Sequence, residues 1–228
     1  MRDVFLNYHS RKDTFDHGVH HVLNGVSLKV NEGETLGVIG RNGCGKTTVL
    51  RVMAGILAPD RGVVLRKPGS YASLLTIGLG FKPNLSGRDN AMLSAMLQGA
   101  SREKAKSYLD EIKEFSELGD SFEEPVKTYS SGMRSRLGFT TALMTHVDIL
   151  LLDEVLSVGD AHFKEKASAA MKARITGDQT VVFVSHSAGQ IQEICSRAVW
   201  LRNGEIADDG QPSEVLSSYR QFLNSMKT

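Results

Sequence analysis

Residues 40–47 read Gly40-Arg41-Asn42-Gly43-Cys44-Gly45-Lys46-Thr47, which fits the pattern G-x-x-x-x-G-K-[ST] at every fixed position. Glycines at this spacing let the backbone curl so that several N–H groups face one anion. Lys46 then supplies a positive charge to the β- and γ-phosphates, and the Thr47 hydroxyl is a ligand for Mg²⁺. A glycine turn formed by chance is the alternative, and a complete match disfavours it. The segment predicts a nucleotide phosphate site that also includes Thr48.

The residues on either side of this segment support the same interpretation. Residues 35–39 form an apolar run typical of a buried strand, and residues 45–54 are typical of a helix. A helix that begins at a glycine-rich loop adds the partial positive charge of its N-terminus to the site. Strand-like runs alternate with helical stretches from about residue 22 to 207. This alternation predicts an α/β fold with a largely parallel sheet.

The remaining elements follow from caps, turns and apolar runs. Serines open three predicted helices, over residues 86–98, 101–118 and 213–222, with Ser213 as the N-cap of the last. The other predicted elements are strands at 63–66, 147–152 and 180–185, a helix at 130–146, and a β-hairpin around Asn203-Gly204.

Composition excludes several classes of protein. The chain has 228 residues, which suffices for a sizeable core, and a formal net charge of +1, which leaves no basic footprint for nucleic acid or anionic lipid. The purest apolar run, residues 149–152, is far shorter than the ~20 residues that cross a bilayer, and residues 1–8 contain no segment of signal-peptide length. Cys44 and Cys195 form no disulfide framework, so we expect a cytosolic chain.

Two acidic residues, Asp153 and Glu154, end the apolar run at 149–152. Paired carboxylates at the end of a buried strand need a cation or a proton to be stable. Asp153 is placed to hold Mg²⁺, and Glu154 is the candidate general base that polarises an attacking water. An acidic turn after a core strand is the alternative, and the presence of Lys46 disfavours it.

A further candidate catalytic residue is His186, at the end of the strand predicted at 180–185. Ligand sites of α/β proteins cluster at the carboxyl ends of the strands, where an imidazole is able to contact the γ-phosphate. The other histidines have no such placement.

Residues 129–137 indicate which class of phosphate-loop protein this is. They read Tyr-Ser-Ser-Gly-Met-Arg-Ser-Arg-Leu and resemble, at Ser130 and Gly132, the signature motif of ABC ATPases, usually written L-S-G-G-Q. Residues 157–160, Ser-Val-Gly-Asp, look like the D-loop of that family, and His186 corresponds to its switch histidine. The resemblance implies an ABC-type nucleotide-binding domain with a RecA-like core, an antiparallel β subdomain and a helical subdomain. It implies one domain over 1–228, with the helical part at about 86–145.

The sequences of these motifs resemble those of one group within the family. Residues 129–137, 153–160 and Phe163-Lys164-Glu165-Lys166 look like the ATP-binding subunits of polysaccharide exporters. That group serves capsular polysaccharide, O-antigen and teichoic acid. Residues 80–81 and 85–90 resemble its G-F…L-T-G-R-E-N segment. The short chain and the sequence Met-Arg-Ser-Arg-Leu-Gly-Phe at 133–139 most resemble the members of the capsule branch.

The resemblance also implies partners. Two copies would stack head to tail with ATP and Mg²⁺ between them, so that Lys46, Asp153, Glu154 and His186 of one face Ser130 and Gly132 of the other. A separate integral membrane permease would contact the loop at 74–85 and the helical stretch at 86–128, at the cytoplasmic face of the inner membrane. No nucleic-acid partner is expected.

Three alternatives stay open. An ABC ATPase for another cargo would share all of this chemistry. A soluble ABC ATPase acting on DNA or ribosomes is disfavoured by the absence of a heptad run in the sequence and by the net charge of +1. A nucleotide-binding regulator without turnover is disfavoured by Glu154.

Two departures from the family pattern bear on the site. Most ABC ATPases have a glutamine between the phosphate loop and the helical subdomain, yet no glutamine occurs between Tyr71 and Met96. Ungapped placement puts Ile77 near that position, and no residue is assigned to the role. An aromatic residue usually stacks on adenine, and the candidates are Tyr8, Phe15, His20 and His21. His21 fits best by its distance from residues 26–28, with a solvent-facing histidine as the alternative.

Overall fold

The computed structural model describes residues 1–9, 18–153, 161–185 and 187–226, and within them the chain divides into two compact units. The sheet unit takes the described parts of Met1–Leu74, Ile149–Glu154 and Ile175–Thr228; the helical unit takes those of Leu75–Asp148 and Val155–Arg174. The helical segment predicted at 86–145 falls within the helical unit. The organisation of the whole chain as one domain stays a prediction.

Strands and helices alternate over part of the described chain, as the sequence predicts, and several consecutive helices interrupt the alternation between residues 87 and 144. In chain order they are β1 (Arg2–His9), β2 (Val19–Val26), β3 (Thr35–Ile39), α1 (Lys46–Ala54), β4 (Arg61–Val63), β5 (Ala72–Leu74), α2 (Gly87–Leu97), α3 (Arg102–Ser107), α4 (Leu109–Ser116), α5 (Ser131–Met144), β6 (Ile149–Asp153), α6 (Ala161–Ile175), β7 (Thr180–Val184), α7 (Ala188–Ile194), β8 (Arg197–Arg202), β9 (Glu205–Gly210) and α8 (Pro212–Ser225). Two 3-10 helices, Gly119–Glu123 and Val126–Thr128, lie between α4 and α5.

The larger sheet has six strands in the order β5-β6-β7-β3-β8-β9. Neighbouring strands are parallel except for the β8–β9 hairpin. Asn203 and Gly204 take φ values of 49° and 79° at the hairpin turn, as a two-residue loop of this twist requires. Every residue of β3 and β7 is buried, because a parallel strand is covered on both faces. The largely parallel sheet is therefore confirmed.

A second, antiparallel sheet has the order β2-β1-β4. Its apolar residues Leu6 and Leu23 belong to the same buried cluster as Leu36 of β3 and Leu50 of α1. Burying one leucine side chain contributes roughly 1.5–3 kcal/mol, so this shared core holds the three-stranded sheet against β3 and α1.

The helical unit contains α2 to α5 and most of α6. Serine hydroxyls cap three of these helices: Ser86 accepts from the Asp89 amide, Ser101 from the Lys104 amide and Ser130 from the Met133 amide. Its core is built from small and large apolar residues, among them Ala91, Ala95, Ile112, Phe122, Val126, Tyr129 and Leu137. Among the described residues, no helix has both the length and the apolar character that a membrane span requires.

Three predicted elements differ from the structure. The strand predicted at 63–66 lies instead at Arg61–Val63, where it pairs with β1. The helix predicted at 101–118 is two helices. At the break between them, the Ser107 hydroxyl donates to the Lys104 carbonyl and the Tyr108 amide donates to the Ala105 carbonyl.

Ser213 is not an N-cap either. The last helix begins at Pro212 with Gln211 before it, since the fixed φ of proline suits the first helical position.

Candidate nucleotide-binding site

The phosphate loop, residues 40–45, connects the buried end of β3 to the N-terminus of α1. Gly40 and Gly45 take φ values of 155° and 103°. A Cβ at Gly40 would lie 2.3 Å from the Leu201 carbonyl oxygen, and a Cβ at Gly45 would lie 2.9 Å from that of Val22. Both positions therefore require glycine, and the backbone curls as the motif predicts.

The N-terminus of α1 suits an anion. Gly45 is its N-cap and makes no side-chain cap, and the first turn carries no acidic residue. The first amides of a helix have no partner within the helix, and the helix dipole adds partial positive charge there. Strand, glycine loop and uncapped helix terminus thus fit the phosphates of a nucleotide.

Lys46 is held inside this loop. It is only 7% exposed, and its Nζ donates to the carbonyls of Gly40 and Arg41, both at 2.9 Å. An ammonium group has three donors, so these two contacts fix the charge in the loop and leave one N–H for a phosphate oxygen.

The other loop residues divide into an exposed and a covered group. Arg41, Asn42 and Gly43 are exposed, whereas Thr48 is buried and Thr47 is half-buried on the first turn of α1. Cys44 is half-buried, with its Sγ 2.6 Å from the position of a Cβ at Gly40. Burial raises the pKa of the Cys44 thiol, although Lys46 opposes this, so the thiol stays protonated near neutral pH. The protonated, half-buried Cys44 thiol therefore packs against Gly40 as a space-filling side chain.

Two of the adenine candidates, Tyr8 and His21, lie on the three-stranded sheet. His21 is exposed on β2, and its Nδ1 lies 2.6 Å from Asn7 Oδ1 of β1. Tyr8 is 38% exposed, and its hydroxyl lies 3.4 Å from the Thr48 hydroxyl. Tyr8 therefore contacts the helix that carries the phosphate site. Phe15 lies outside the described residues, and the assignment of His21 stays a prediction.

Asp153 lies at the same edge of the sheet as the phosphate loop. It is the last residue of β6 and pairs with Val184 of β7, which is hydrogen-bonded to β3 on its other side. The three strands are parallel, so their carboxyl ends meet at one edge, where α/β proteins bind ligands. One strand, β7, therefore lies between half-buried Asp153 on β6 and the strand β3 that leads into the loop. Glu154 and His186, the two catalytic candidates, and residues 157–160 lie outside the described residues.

A hydrogen-bond network that the sequence analysis missed flanks His186. Ser185 is 4% exposed; its Oγ donates to Gln190 Oε1 at 2.7 Å and accepts from the Ser187 amide at 3.0 Å. Ser187 caps α7 by accepting from the Gln190 amide at 3.3 Å. The pattern Ser-x-x-Gln at 187–190 has the sequence of a capping box, which signals the serine cap, but the Ser187 amide bonds to Ser185 in place of the Gln190 side chain.

Ser130 and Gly132 open α5 in the helical unit. Ser130 is exposed, and its Oγ accepts from the Met133 amide at 3.1 Å. Gly132 is half-buried, and the nearest atom to a Cβ there would be Ser130 Oγ at 3.8 Å. The chain thus presents a second helix N-terminus with open space around its first amides, the type of terminus that binds anions.

The chain is similar to known proteins over most of its length. The family model described as "ABC transporter" matches residues 23–157. The O-antigen export system ATP-binding protein RfbB of Myxococcus xanthus is 42% identical over 89% of this chain and 46% of that protein. The teichoic acids export ATP-binding protein TagH of Listeria innocua is 40% identical over 88% of this chain and 59% of that protein. This chain therefore spans about half the length of these two relatives.

Two further comparisons extend the likeness. The ABC transporter protein AbcA of Aeromonas salmonicida is 38% identical over 95% of this chain and 70% of its own length. A dimeric post-hydrolysis structure of the ATP-binding cassette MJ0796, bound to ADP and Pi, matches 92% of this chain and 97% of that chain with a TM-score of 0.68 and 21% identity.

These matches agree with the fold and with the phosphate loop. The α/β cassette with its antiparallel sheet and helical part is the fold of the MJ0796 structures, so the predicted fold class is confirmed. The matched residues include the whole loop and Asp153, as well as Ser130 and Gly132. The chain belongs to the ABC transporter family, as an ABC ATPase domain.

Proposed function

We propose that this chain binds and hydrolyses ATP to drive export of a cell-surface polysaccharide. Two relatives of similar identity carry the names of O-antigen export and teichoic acids export proteins, which supports a sugar-polymer cargo. Capsular polysaccharide is the cargo that the sequence of residues 133–139 favours, and O-antigen or teichoic acid is the alternative. The observation that carries the ATPase proposal is the buried Lys46 ammonium inside a glycine loop at a helix N-terminus.

Each residue of the site has a proposed task. The amides of residues 40–48 and the Lys46 ammonium hold the phosphates, and Thr47 and Asp153 would hold Mg²⁺. Bound Mg²⁺ supplies charge neutralisation at the phosphates. Glu154 accepts the proton of the attacking water, and His186 orients groups at the γ-phosphate.

A second copy of the chain completes the site. Ser130 is exposed and Gly132 half-buried at the start of α5, so the α5 terminus of one copy is accessible to a nucleotide bound to another. A head-to-tail homodimer places one such terminus on each nucleotide, and hydrolysis separates the copies. Closing and opening then form the mechanical step of the transport cycle.

The helical unit offers a surface for an integral membrane permease. Leu85, Met96 and Leu97 are 39%, 42% and 55% exposed in and around α2, so this part of the unit presents large apolar side chains to a partner. A permease supplied by another chain would cover them and hold this subunit at the cytoplasmic face of the inner membrane. A net charge of +1 gives no support for a nucleic-acid partner.

Replacing Ser130 by arginine should stop turnover without weakening ATP binding by the monomer. A bulky cation at the α5 terminus removes the serine and blocks the approach of the second copy; loss of one preorganised donor alone costs roughly 10²–10³-fold in rate. Steady-state ATPase assays and titration with a fluorescent ATP analogue measure the two effects.

Ser101→Arg is the matched control, because Ser101 is also an exposed serine N-cap in the helical unit. It should keep turnover within about twofold while losing about 1 kcal/mol of unfolding free energy. Full activity of Ser130→Arg would contradict the two-copy site.

Affinity capture from detergent-solubilised membranes tests the transport role. The bait is Glu154→Gln with ATP, and Lys46→Ala without nucleotide is the control bait. A multi-span membrane protein from a sugar-polymer pathway should be retained by the first bait only, and that pathway identifies the cargo. Ribosomal or DNA-associated proteins in its place would contradict the export proposal.

A further inference from the structure

Two segments of the helical unit that are far apart in sequence are joined by a short antiparallel ladder. One precedes α2 and the other leads to Ser130. The backbone hydrogen bonds run from Lys127 N to Pro83 O (2.8 Å), Val126 N to Leu85 O (2.9 Å) and Gly87 N to Glu124 O (3.1 Å), around a bridge between Ser86 and Pro125. A shift of the first segment therefore moves the second.

The first segment is itself held by Asn90, which is fully buried in α2. Its Oδ1 accepts from the Lys82 amide at 2.6 Å, and its Nδ2 donates to the carbonyls of Lys82, Leu85 and Ser86 at 3.1, 3.0 and 2.8 Å. One side chain thus fixes residues 82–86 to α2.

Tyr129 is the side chain that enters the helical core at the end of the ladder. It is 4% exposed and packs in the cluster that contains Phe122 and Val126. Its hydroxyl donates to the Ser121 carbonyl at 2.5 Å. Burial raises the pKa of Tyr129, so the hydroxyl remains a donor throughout the ordinary pH range.

Gly87 leaves the space that this hydroxyl fills. A Cβ at Gly87 would lie 2.2 Å from Tyr129 Oη and 2.9 Å from the Phe122 carbonyl oxygen. The Tyr129 hydroxyl therefore occupies the space that a side chain at position 87 would need, so tyrosine at 129 requires glycine at 87. This contact fixes the position of Gly87, the first residue of α2, relative to Tyr129, which directly precedes the N-cap of α5.

We propose that Tyr129 is a positioning residue for Ser130. Its anchored ring and hydroxyl set where the α5 terminus stands relative to the loop at 82–87, which includes exposed Leu85. The role rests on the proposed function, in which Ser130 of one copy closes the nucleotide site of another. Tyr129 acts through Ser130 and does not touch the nucleotide.

The test removes only the hydroxyl, with Tyr129→Phe in a Glu154→Gln background. Sedimentation measures ATP-driven dimerisation as a function of protein concentration. The midpoint concentration should rise about five- to tenfold, as loss of a buried hydrogen bond that orders the binding terminus implies. ATP affinity of the monomer should stay within about twofold. With Glu154 intact, kcat should fall while KM for ATP is unchanged.

Two controls separate positioning from stability. Tyr108→Phe removes another buried hydroxyl of the helical unit, one with no hydrogen-bond partner among the described residues, and should change nothing. Ile112→Val trims a fully buried residue of the same core and should lower the melting temperature as Tyr129→Phe does, with no shift in the dimerisation midpoint.

Gly87→Ala gives a second route to the same interaction. Alone it should weaken dimerisation at least as much as Tyr129→Phe. In the Tyr129→Phe background it should cost less, since the oxygen 2.2 Å from its Cβ is gone and the Phe122 carbonyl contact remains.

The outcomes are distinct. A Tyr129→Phe midpoint within twofold of the parent, or equal to that of Ile112→Val, overturns the positioning role and leaves the proposed function intact. If the Glu154→Gln parent forms no ATP-dependent dimer, the proposed function fails and the positioning role with it.

Discussion

Replacing Glu154 by glutamine should lower ATP turnover by roughly 10²–10⁴-fold, which is the usual contribution of a positioned general base. The amide keeps the size of the carboxyl group but does not accept the proton of the attacking water. ATP should still bind, because the phosphate loop and Lys46 are unchanged. The variant should therefore accumulate as an ATP-bound dimer, seen by size-exclusion chromatography with and without ATP.

Asp148→Asn is the matched control for this prediction. Asp148 is an exposed acid immediately before β6, whereas Glu154 follows the other end of that strand. The same chemical change away from the carboxyl edge of the sheet should leave turnover within about twofold. Normal turnover by Glu154→Gln would refute the assignment of Glu154 as the base.

Replacing Lys46 by alanine should weaken ATP binding about 10- to 100-fold. Charged hydrogen bonds contribute about 1.5–3 kcal/mol each, and the substitution removes the positive charge that the loop holds 2.9 Å from two of its carbonyls. Turnover should fall with it. Titration with a fluorescent ATP analogue measures the affinity, and a melting curve establishes that the variant folds.

Lys67→Ala removes the same charge from the surface of the same unit. Its side chain is 75% exposed and pairs with Glu32 at 3.5 Å, a type of contact that contributes little. ATP affinity should stay within about twofold of the parent. Unchanged nucleotide binding by Lys46→Ala would show that residues 40–48 are not the phosphate site.

Local signals in the sequence predict the conformation and position of the glycine loop well. The glycine spacing requires the backbone that Gly40 and Gly45 adopt, and a motif that follows an apolar run predicts the junction of β3 and α1. The serine caps at Ser86 and Ser130 follow from the same kind of short-range chemistry. Parallel strands then place Asp153 at the edge of the sheet that carries the loop.

Features that depend on tertiary contacts are not predictable in this way. The edge strand β4 is fixed by its pairing with β1, which its own three exposed residues do not signal. The contact between Tyr129 and Gly87 joins residues 42 positions apart, so only the folded chain reveals it. The contact between the Tyr8 and Thr48 hydroxyls, which joins β1 to α1, is of the same kind.

Mixing Lys46→Ala with Ser130→Arg tests most directly the claim that two copies form each nucleotide site. In a head-to-tail dimer of one copy of each, one site combines the intact loop of Ser130→Arg with the intact α5 terminus of Lys46→Ala. Random pairing of equal amounts should therefore restore turnover from two inactive proteins, to about one quarter of the parent rate when the sites act independently. A mixture no faster than the two variants measured separately would contradict the account.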